Sequence, residues 1–482
     1  MSTKKSNNIE LLENLENSEN SENSENSEYP KSYVKKRKSP SKYHQIRPLW
    51  MAVFSDIIGF SLLIAVFPDF TRLFNITFLQ VSIISSVNGL FSFISAPIWG
   101  KLSDKYGRKP LLQISQAGTI LGFFLLAFAD SYELILVSRI IDGIFGGNFP
   151  ISKAVINDVV KPEDMAKEMT NIGIAHNFAN LFAPALGGFL YTKFGLIGPG
   201  LAAAFTAIFT FTITLLRLPE TAPIKTKTKP FTLKEISSVN KKAESSMGAI
   251  FSIEAGFESK NFGKNYHPPW YQHTVLVRAL LILAFSSFGF MTIISNLANF
   301  GYKKFYLGTS EIGLLLMLTA VIQIITRFSI YIPALKKWGE YRLAIIGFLL
   351  YLFEFTVFVF ISQIYQFVIM LVFHSLATSA TRGSISSFIS NLANPWERGK
   401  VQGIASSIDT FAQIIGPLIG GALLTYLPTE WFTSISLILM MIALILLLSA
   451  KDMQKELRKR NKNFHQPINS TKKLFAKAKK RE

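Results

Sequence analysis

Long apolar segments recur along the chain from residue 49 to residue 450, and short polar turns separate them. Each segment has about 20 residues or more, the length that an α-helix needs to cross the hydrocarbon core of a bilayer. The pattern predicts an all-α membrane protein with twelve transmembrane helices. The predicted spans are 49–68, 77–99, 109–129, 132–156, 169–191, 198–218, 274–300, 311–335, 341–362, 366–390, 401–426 and 431–450.

Polar sequence divides these spans into two groups of six. Residues 49–218 form a predicted N-terminal half and residues 274–450 a C-terminal half, joined by a polar central loop at 219–273. Residues 1–48 begin with low-complexity Asn, Ser and Glu, which predicts disorder, and then become basic. Residues 451–482 form a strongly basic tail. The expected organisation is therefore two membrane halves with polar tails and a polar connection.

Composition and charge support this interpretation. The chain has 482 residues, of which 49% are hydrophobic and only 17% charged, and it contains no cysteine. The absence of cysteine excludes disulfides and thiolate metal sites. The net charge of +19 resides mostly in tails and loops beside apolar spans, which favours contact with anionic lipid rather than with nucleic acid.

The distribution of basic residues predicts the orientation of the chain. If the N-terminus lies inside, the short inner loops carry eleven Lys and Arg residues and the outer loops carry four. Positive charge is enriched in cytoplasmic loops, so both termini are expected in the cytoplasm. The plasma membrane is the expected location, with an internal membrane as the alternative.

An internal repeat relates the two predicted halves. A shift of 233 positions places Phe178-Ala179 on Phe411-Ala412 and Pro184 on Pro417. Two glycines after each proline coincide in the same register. Matches that share one register across a loop and a helix indicate two related six-helix units.

The connection between the second and third spans carries a dense set of charge and glycine, from Gly100 to Leu111. Its Gly100, Asp104, Gly107 and Arg108 resemble the helix 2–3 loop signature of the major facilitator superfamily. We expect Gly100 to permit close helix approach and Gly107 to permit a tight turn. The resemblance implies two pseudo-symmetric six-helix halves with the transport site between them. It also implies that Asp158 pairs with Arg108 in a gating contact.

Further motifs resemble the drug:proton antiporter branch of that superfamily, including the tetracycline-efflux group. The first span contains Asp56-Ile57-Ile58-Gly59-Phe60, which is similar to the first-helix motif of the branch. The fifth and eleventh spans carry small residues and proline at positions typical of bendable, closely packed helices. These helix-packing residues are Pro184, Gly187, Gly188, Gly416, Pro417, Gly420 and Gly421.

Ionisable residues inside the predicted spans are the candidates for proton coupling or substrate binding. A charged side chain at the bilayer centre costs about 2.5–3.5 kcal/mol on insertion scales, so each needs a partner, a cavity or a proton. The alternative role for each of them is structural, as a polar group with its hydrogen bonds satisfied inside the helix bundle. Arg327 and Glu354 on successive spans are one predicted structural pair. The candidates are Asp56, Arg139, Asp142, His176, His374 and Asp409.

The sequence therefore predicts a secondary active transporter, which exports a small amphipathic organic compound in exchange for protons by alternating access. The alternatives are an uptake symporter or uniporter for a polar metabolite, and a non-transporting receptor built on the same fold. No phosphate-binding Gly-rich loop ending in Gly-Lys-Ser/Thr is present, so an ATP-driven pump is not expected. We expect no enzyme activity, no metal and no cofactor, and a monomer in the bilayer.

Overall fold

The structure is a computed structural model that describes residues 46–221, 273–393 and 397–449. Within α-helix 162–194, the side chains of residues 162, 163, 165–167, 169, 170, 172, 173, 176 and 177 are not described. The predictions for the N-terminal tail up to residue 45, for most of the central loop (222–272) and for the C-terminal tail from residue 450 lie outside the described residues.

The first described range consists of eight helices joined by short turns and forms the N-terminal half. The predicted spans 49–68 and 132–156 are each split into two helices. The helices are α1 (Arg47–Ile64), α2 (Phe67–Leu73), α3 (Phe78–Tyr106), α4 (Arg108–Ala127), α5 (Tyr132–Ile144), α6 (Asn148–Val159), α7 (Pro162–Phe194) and α8 (Ile197–Arg217).

The remaining described ranges form the C-terminal half. A π-helical turn at Arg327–Tyr331 and a 3₁₀ turn at Thr429–Trp431 interrupt the α-helices. The helices are α9 (Thr274–Ile294), α10 (Leu297–Phe305), α11 (Thr309–Thr326), α12 (Ile332–Phe358), α13 (Ile364–Leu392), α14 (Arg398–Tyr426) and α15 (Ser434–Ser449).

These helices make up twelve transmembrane segments. By length and composition, ten helical runs among the described residues can cross a membrane, and one of them, Thr309–Phe358, has 50 residues. That run contains two segments, because Gly339 adopts φ 76° and ψ 165° and turns the chain. Helix α7, with 33 residues, supplies the twelfth segment. The predicted all-α fold of twelve helices in two six-helix halves is confirmed.

The boundary after the second span differs from the expectation. The predicted span ended at residue 99, but α3 continues to Tyr106 and only Gly107, with φ 106°, leaves the helix. The charged residues of the predicted loop therefore lie on the last turns of α3 and the first turn of α4. A short turn at a residue that tolerates positive φ is enough to reverse the chain.

The two halves pack on each other through α7 and α14. Helix α7 contacts α1 of its own half and α11 of the other half, and α14 likewise contacts α9 and α3. A Cβ atom on Gly188 would lie 2.6 Å from the carbonyl oxygen of Thr309, and one on Gly421 would lie 2.2 Å from Oγ of Ser82. Gly188 and Gly421 occupy equivalent positions in the internal repeat. Each half therefore contributes one glycine to an equivalent close contact with the other half.

Polar contacts between the halves cluster at one end of the bundle. We call it the outer end; it contains the turns at Asn75, Tyr306 and Pro428. There Ser82 Oγ donates to Asn296 Oδ1 at 2.9 Å. The amide of Leu79 donates to Thr425 Oγ1 at 2.9 Å in the same region. These bonds join α3 to the C-terminal half.

The other end, which we call the basic end, contains Arg108 and Arg398 and is more open. A Cβ atom added to Gly100, Gly399 or Gly403 would meet no atom within 4 Å. The close helix approach expected at Gly100 is therefore absent from this conformation, because open space lies where a neighbouring helix would have to be. The structure is closed at the outer end and open towards the basic end.

Candidate functional site

The fourth membrane segment was predicted to be one continuous helix, but it breaks between α5 and α6. The break exposes backbone carbonyls, which need partners inside a membrane. The side chains of Ser95, Trp99 and Ser115 donate to the carbonyl oxygens of Gly143, Ile144 and Phe145 at 3.0, 2.7 and 2.5 Å. Broken helices of this kind line binding sites in many secondary transporters.

The break places the first residue of α6 against Asp56 of α1. Asn148 Nδ2 donates to Asp56 Oδ1 at 2.6 Å, and Asn148 Oδ1 lies 3.0 Å from Ser115 Oγ. Asn148 is buried, whereas Asp56 is partly exposed. Among the described residues, Asp56 forms no ion pair, so its carboxylate is held by an amide instead of a cation.

Arg139 and Asp142 form the pair expected from their spacing on α5. Arg139 Nη1 lies 3.2 Å from Asp142 Oδ2, and the Arg139 side chain is completely buried. Asn88 Nδ2 of α3 donates to the same carboxylate oxygen at 2.9 Å. The Arg139 guanidinium carbon lies 5.2 Å from the centre of the Phe123 ring. The pair is therefore enclosed by an amide and an aromatic face.

The structure does not join Asp56 directly to Arg139. Arg139 is instead paired with Asp142, at 3.2 Å between Nη1 and Oδ2. Asn88 and Asn148, which the sequence interpretation missed, are neutral amides whose function has no charge signal in the sequence.

The C-terminal half has its own charged group around Asp409 on α14. Arg382 Nη2 of α13 lies 3.3 Å from Asp409 Oδ1, and Ser287 Oγ of α9 donates to the same oxygen at 2.5 Å. The guanidinium carbon of Arg382 lies 4.8 Å from the centre of the Phe290 ring. Arg382 was missed, although an arginine within a spanning helix is itself a signal for function.

His374 lies behind that ring and pairs with Glu354 of α12. His374 Nδ1 is 2.9 Å from Glu354 Oε1, and both side chains are buried. The Phe290 ring stacks on the imidazole at 5.7 Å between ring centres. The predicted pair of Arg327 with Glu354 is therefore wrong, since buried Glu354 pairs with His374 and Arg327 is exposed. The side chain of His176, another candidate, lies outside the described residues.

The gating residues meet at the basic end. Arg108 Nη1 lies 2.6 Å from Asp104 Oδ1, and Arg108 Nε lies 2.8 Å from Asp158 Oδ2. This geometry agrees with the arrangement that the motif implied. Glu220, just after α8, also accepts hydrogen bonds from the backbone amides of Arg108 and Lys109, at 2.8 and 3.2 Å. Its carboxylate caps the first turn of α4, whose amides lack helical partners.

This arrangement agrees with a family comparison. The model of the Major Facilitator Superfamily matches residues 49–332 and 279–479, which together cover most of the chain. The chain belongs to the Major Facilitator Superfamily. It is an integral, multi-pass membrane transporter and not an enzyme.

Within the Major Facilitator Superfamily, the chain is similar to proteins of several kinds. It is 23% identical to mouse major facilitator superfamily domain-containing protein 10 over 70% of this chain and 72% of the relative. It is 25% identical to the class B tetracycline resistance protein of Escherichia coli, over 76% and 84% of the two chains. These relatives agree with the predicted relationship to drug:proton antiporters.

The fold also resembles that of solved superfamily structures. The crystal structure of the human organic anion transporter MFSD10 (TETRAN) superposes with a TM-score of 0.58 at 20% identity, covering 85% of this chain and all of that chain. The nucleoside transporter NupG superposes with a TM-score of 0.62 at 12% identity, over 85% and 99% of the two chains. At these identities the likeness concerns the fold.

Proposed function

We propose that this protein exports a small amphipathic organic compound in exchange for protons. The observation that carries the proposal is the environment of Asp56, a carboxylate inside a spanning helix. It is hydrogen-bonded to Asn148 and forms no ion pair with any residue that the structure describes. A carboxylate without a fixed counter-ion is suited to gaining and losing a proton during a transport cycle. Similarity to the tetracycline resistance protein supports the same branch.

Alternating access supplies the movement. The halves touch at the outer end through contacts at Gly188 and Gly421, while glycines at the basic end face open space. Rocking of the halves would break the first set of contacts and close the opposite opening. The Arg108 group with Asp104 and Asp158 is proposed to stabilise one of the two states.

The proposed orientation places the basic end, both termini and the central loop in the cytoplasm. The basic tails would then meet anionic lipid, and no further protein is needed for transport by a monomer. The native chain has no cysteine, so single cysteines report the orientation directly. A cysteine at Asn75 should react with an impermeant thiol reagent from outside, and one at Lys105 only after the membrane is opened. The reverse pattern would overturn the orientation.

The proposed function is tested with the purified protein in proteoliposomes. A panel of amphipathic compounds is screened for flux with and without an imposed pH gradient. The proposal expects at least one compound to accumulate against its own gradient when protons flow in the opposite direction. Accumulation with protons flowing in the same direction would indicate an uptake symporter, and flux that ignores the pH gradient would indicate a uniporter. Saturable binding without flux for any compound would indicate a receptor.

A further inference from the structure

We propose that Arg382 binds the carboxylate, or another oxyanion group, of an organic substrate, and that Asp409 is the counter-ion which releases Arg382 on taking up a proton. The inference rests on the proposed transport function and deepens it by naming the substrate class. It also assigns a role to Arg382, a residue that no sequence motif of the chain contains.

The guanidinium of Arg382 has hydrogen-bonding capacity left over. A guanidinium carries five N–H donors and binds carboxylates through two parallel bonds. Arg382 Nη2 reaches Asp409 at a single, long distance of 3.3 Å. Arg382 Nη1 is buried and has no hydrogen-bond partner among the described residues. The pair thus lacks the two-fold geometry that would occupy the arginine fully.

The pair is also accessible. The side chains of Arg382 and Asp409 are 31% and 29% exposed, although they lie on spanning helices. A charged pair turned towards lipid tails would be costly, so these side chains must face the water-filled space between the halves.

Phe290 holds the arginine in position for this task. The centre of the Phe290 ring lies 4.8 Å from the guanidinium carbon of Arg382 and 5.7 Å from the centre of the His374 imidazole. Attraction between a cation and an aromatic face stabilises the guanidinium orientation without using any of its N–H donors. The donors on buried Nη1 therefore stay unpaired, and we expect them to reach an anion when Asp409 releases Arg382.

Charge balance explains why the anion binds only when Asp409 is protonated. When Asp409 is ionised, the pair with Arg382 is neutral, and an added carboxylate would leave an uncompensated negative charge in a site of low dielectric constant. When Asp409 binds a proton, the charge of Arg382 is free to pair with the substrate carboxylate. The site that holds the substrate and a protonated Asp409 then has the same net charge as the empty site with the ionised pair.

The neighbouring charged groups limit the alternatives. Helix α9 offers the hydroxyl of Ser287 to Asp409, and the titratable residues of α3 lie at its basic end, from Lys101 to Tyr106. On α13 and α12, the remaining buried titratable groups are His374, Glu354 and Tyr351, which lie behind the Phe290 ring. The sources open to a pH response of anion binding are Asp409, the His374–Glu354 pair and Asp56 of the N-terminal half, and Asp409→Asn separates the first source from the other two.

The test uses the full-length protein in lipid nanodiscs with 2-naphthoate as the anionic probe and 2-naphthamide as its neutral match. Binding is measured by calorimetry at about pH 5.5 and about pH 7.5. The wild type should bind 2-naphthoate more tightly at the lower pH and bind 2-naphthamide weakly at both. Arg382→Gln should weaken 2-naphthoate binding by about tenfold or more, with partial recovery in Arg382→Lys. Asp409→Asn should bind tightly at both pH values.

Two results would overturn the proposal. One is unchanged 2-naphthoate affinity in Arg382→Gln; the other is a pH dependence of 2-naphthoate binding that survives in Asp409→Asn. If Arg382→Gln does not fold, the other two variants still test the proposal. At about pH 7.5, 2-naphthoate should bind more weakly to Arg382→Lys and more tightly to Asp409→Asn than to the wild type. If the wild type shows gradient-driven flux of another compound but binds no 2-naphthoate, the anion site is wrong and the proposed transport function stands.

Discussion

Each half of the transporter contains an Arg–Asp pair, but the two pairs differ in their access to water. The Arg139–Asp142 side chains are 0% and 14% exposed, and Asn88 satisfies the same carboxylate. The Arg382–Asp409 side chains are 31% and 29% exposed. The charges of a buried pair cancel each other, and removing one partner leaves a costly uncompensated charge, whereas a partly exposed pair can exchange partners. We therefore propose Asp56, and not this pair, as the proton-binding group of the N-terminal half.

The largest effect is expected from breaking the buried pair. Arg139→Gln leaves the Asp142 charge without a cation, which should lower the free energy of unfolding by about 3–5 kcal/mol. Arg382→Gln removes a half-exposed partner and should cost less than about 1 kcal/mol. Thermal unfolding of both variants in the same detergent measures the contrast.

The matched control is Arg139→Gln combined with Asp142→Asn, which removes both charges and should recover part of the lost stability. Equal losses in Arg139→Gln and Arg382→Gln would show that exposure does not distinguish the two pairs.

The gating group at the basic end should respond next. The Arg108 side chain is 8% exposed and joins Asp158, whereas Asp104 is 59% exposed. Arg108→Ala leaves the partly buried Asp158 unpaired and should slow transport more than Asp104→Asn does. Initial rates in proteoliposomes, normalised to inserted protein, test the order. Normal rates in both variants would remove this group from the proposed cycle.

A smaller and more specific effect is expected at the contact between the halves. Gly421→Ala places a methyl group against Ser82, and the outer-closed state should lose stability relative to the outer-open state. Ala65 is buried against Ala298 and Leu307 of the other half, so an Ala65→Cys reporter should become more reactive with an impermeant thiol reagent. Gly188→Ala should act in the same direction.

The control for this prediction is Gly403→Ala, because a methyl group there meets open space. Equal reactivity of the reporter in Gly421→Ala and Gly403→Ala would mean that the matched contacts do not set the balance between states.

Much of the fold was predictable because membrane crossing imposes a simple rule on length and hydrophobicity. Pairs within one helix or one motif, such as Arg139 with Asp142, follow from spacing alone. The break before Asn148 was not predictable, because its stability depends on hydroxyl and indole donors from two other helices. The partner of Glu354 depends on how α12 and α13 are rotated against each other, which hydropathy does not specify.

The central claim is that Asp56 is the carboxylate that couples protons to transport, and one flux measurement tests it most directly. Asp56→Asn and Asp142→Asn are reconstituted in parallel, and substrate flux is recorded with and without an imposed pH gradient. We expect Asp56→Asn to lose gradient-driven accumulation but to keep downhill exchange, and Asp142→Asn to retain a response to the gradient. Full gradient-driven accumulation in Asp56→Asn would show that Asp56 does not couple protons to transport.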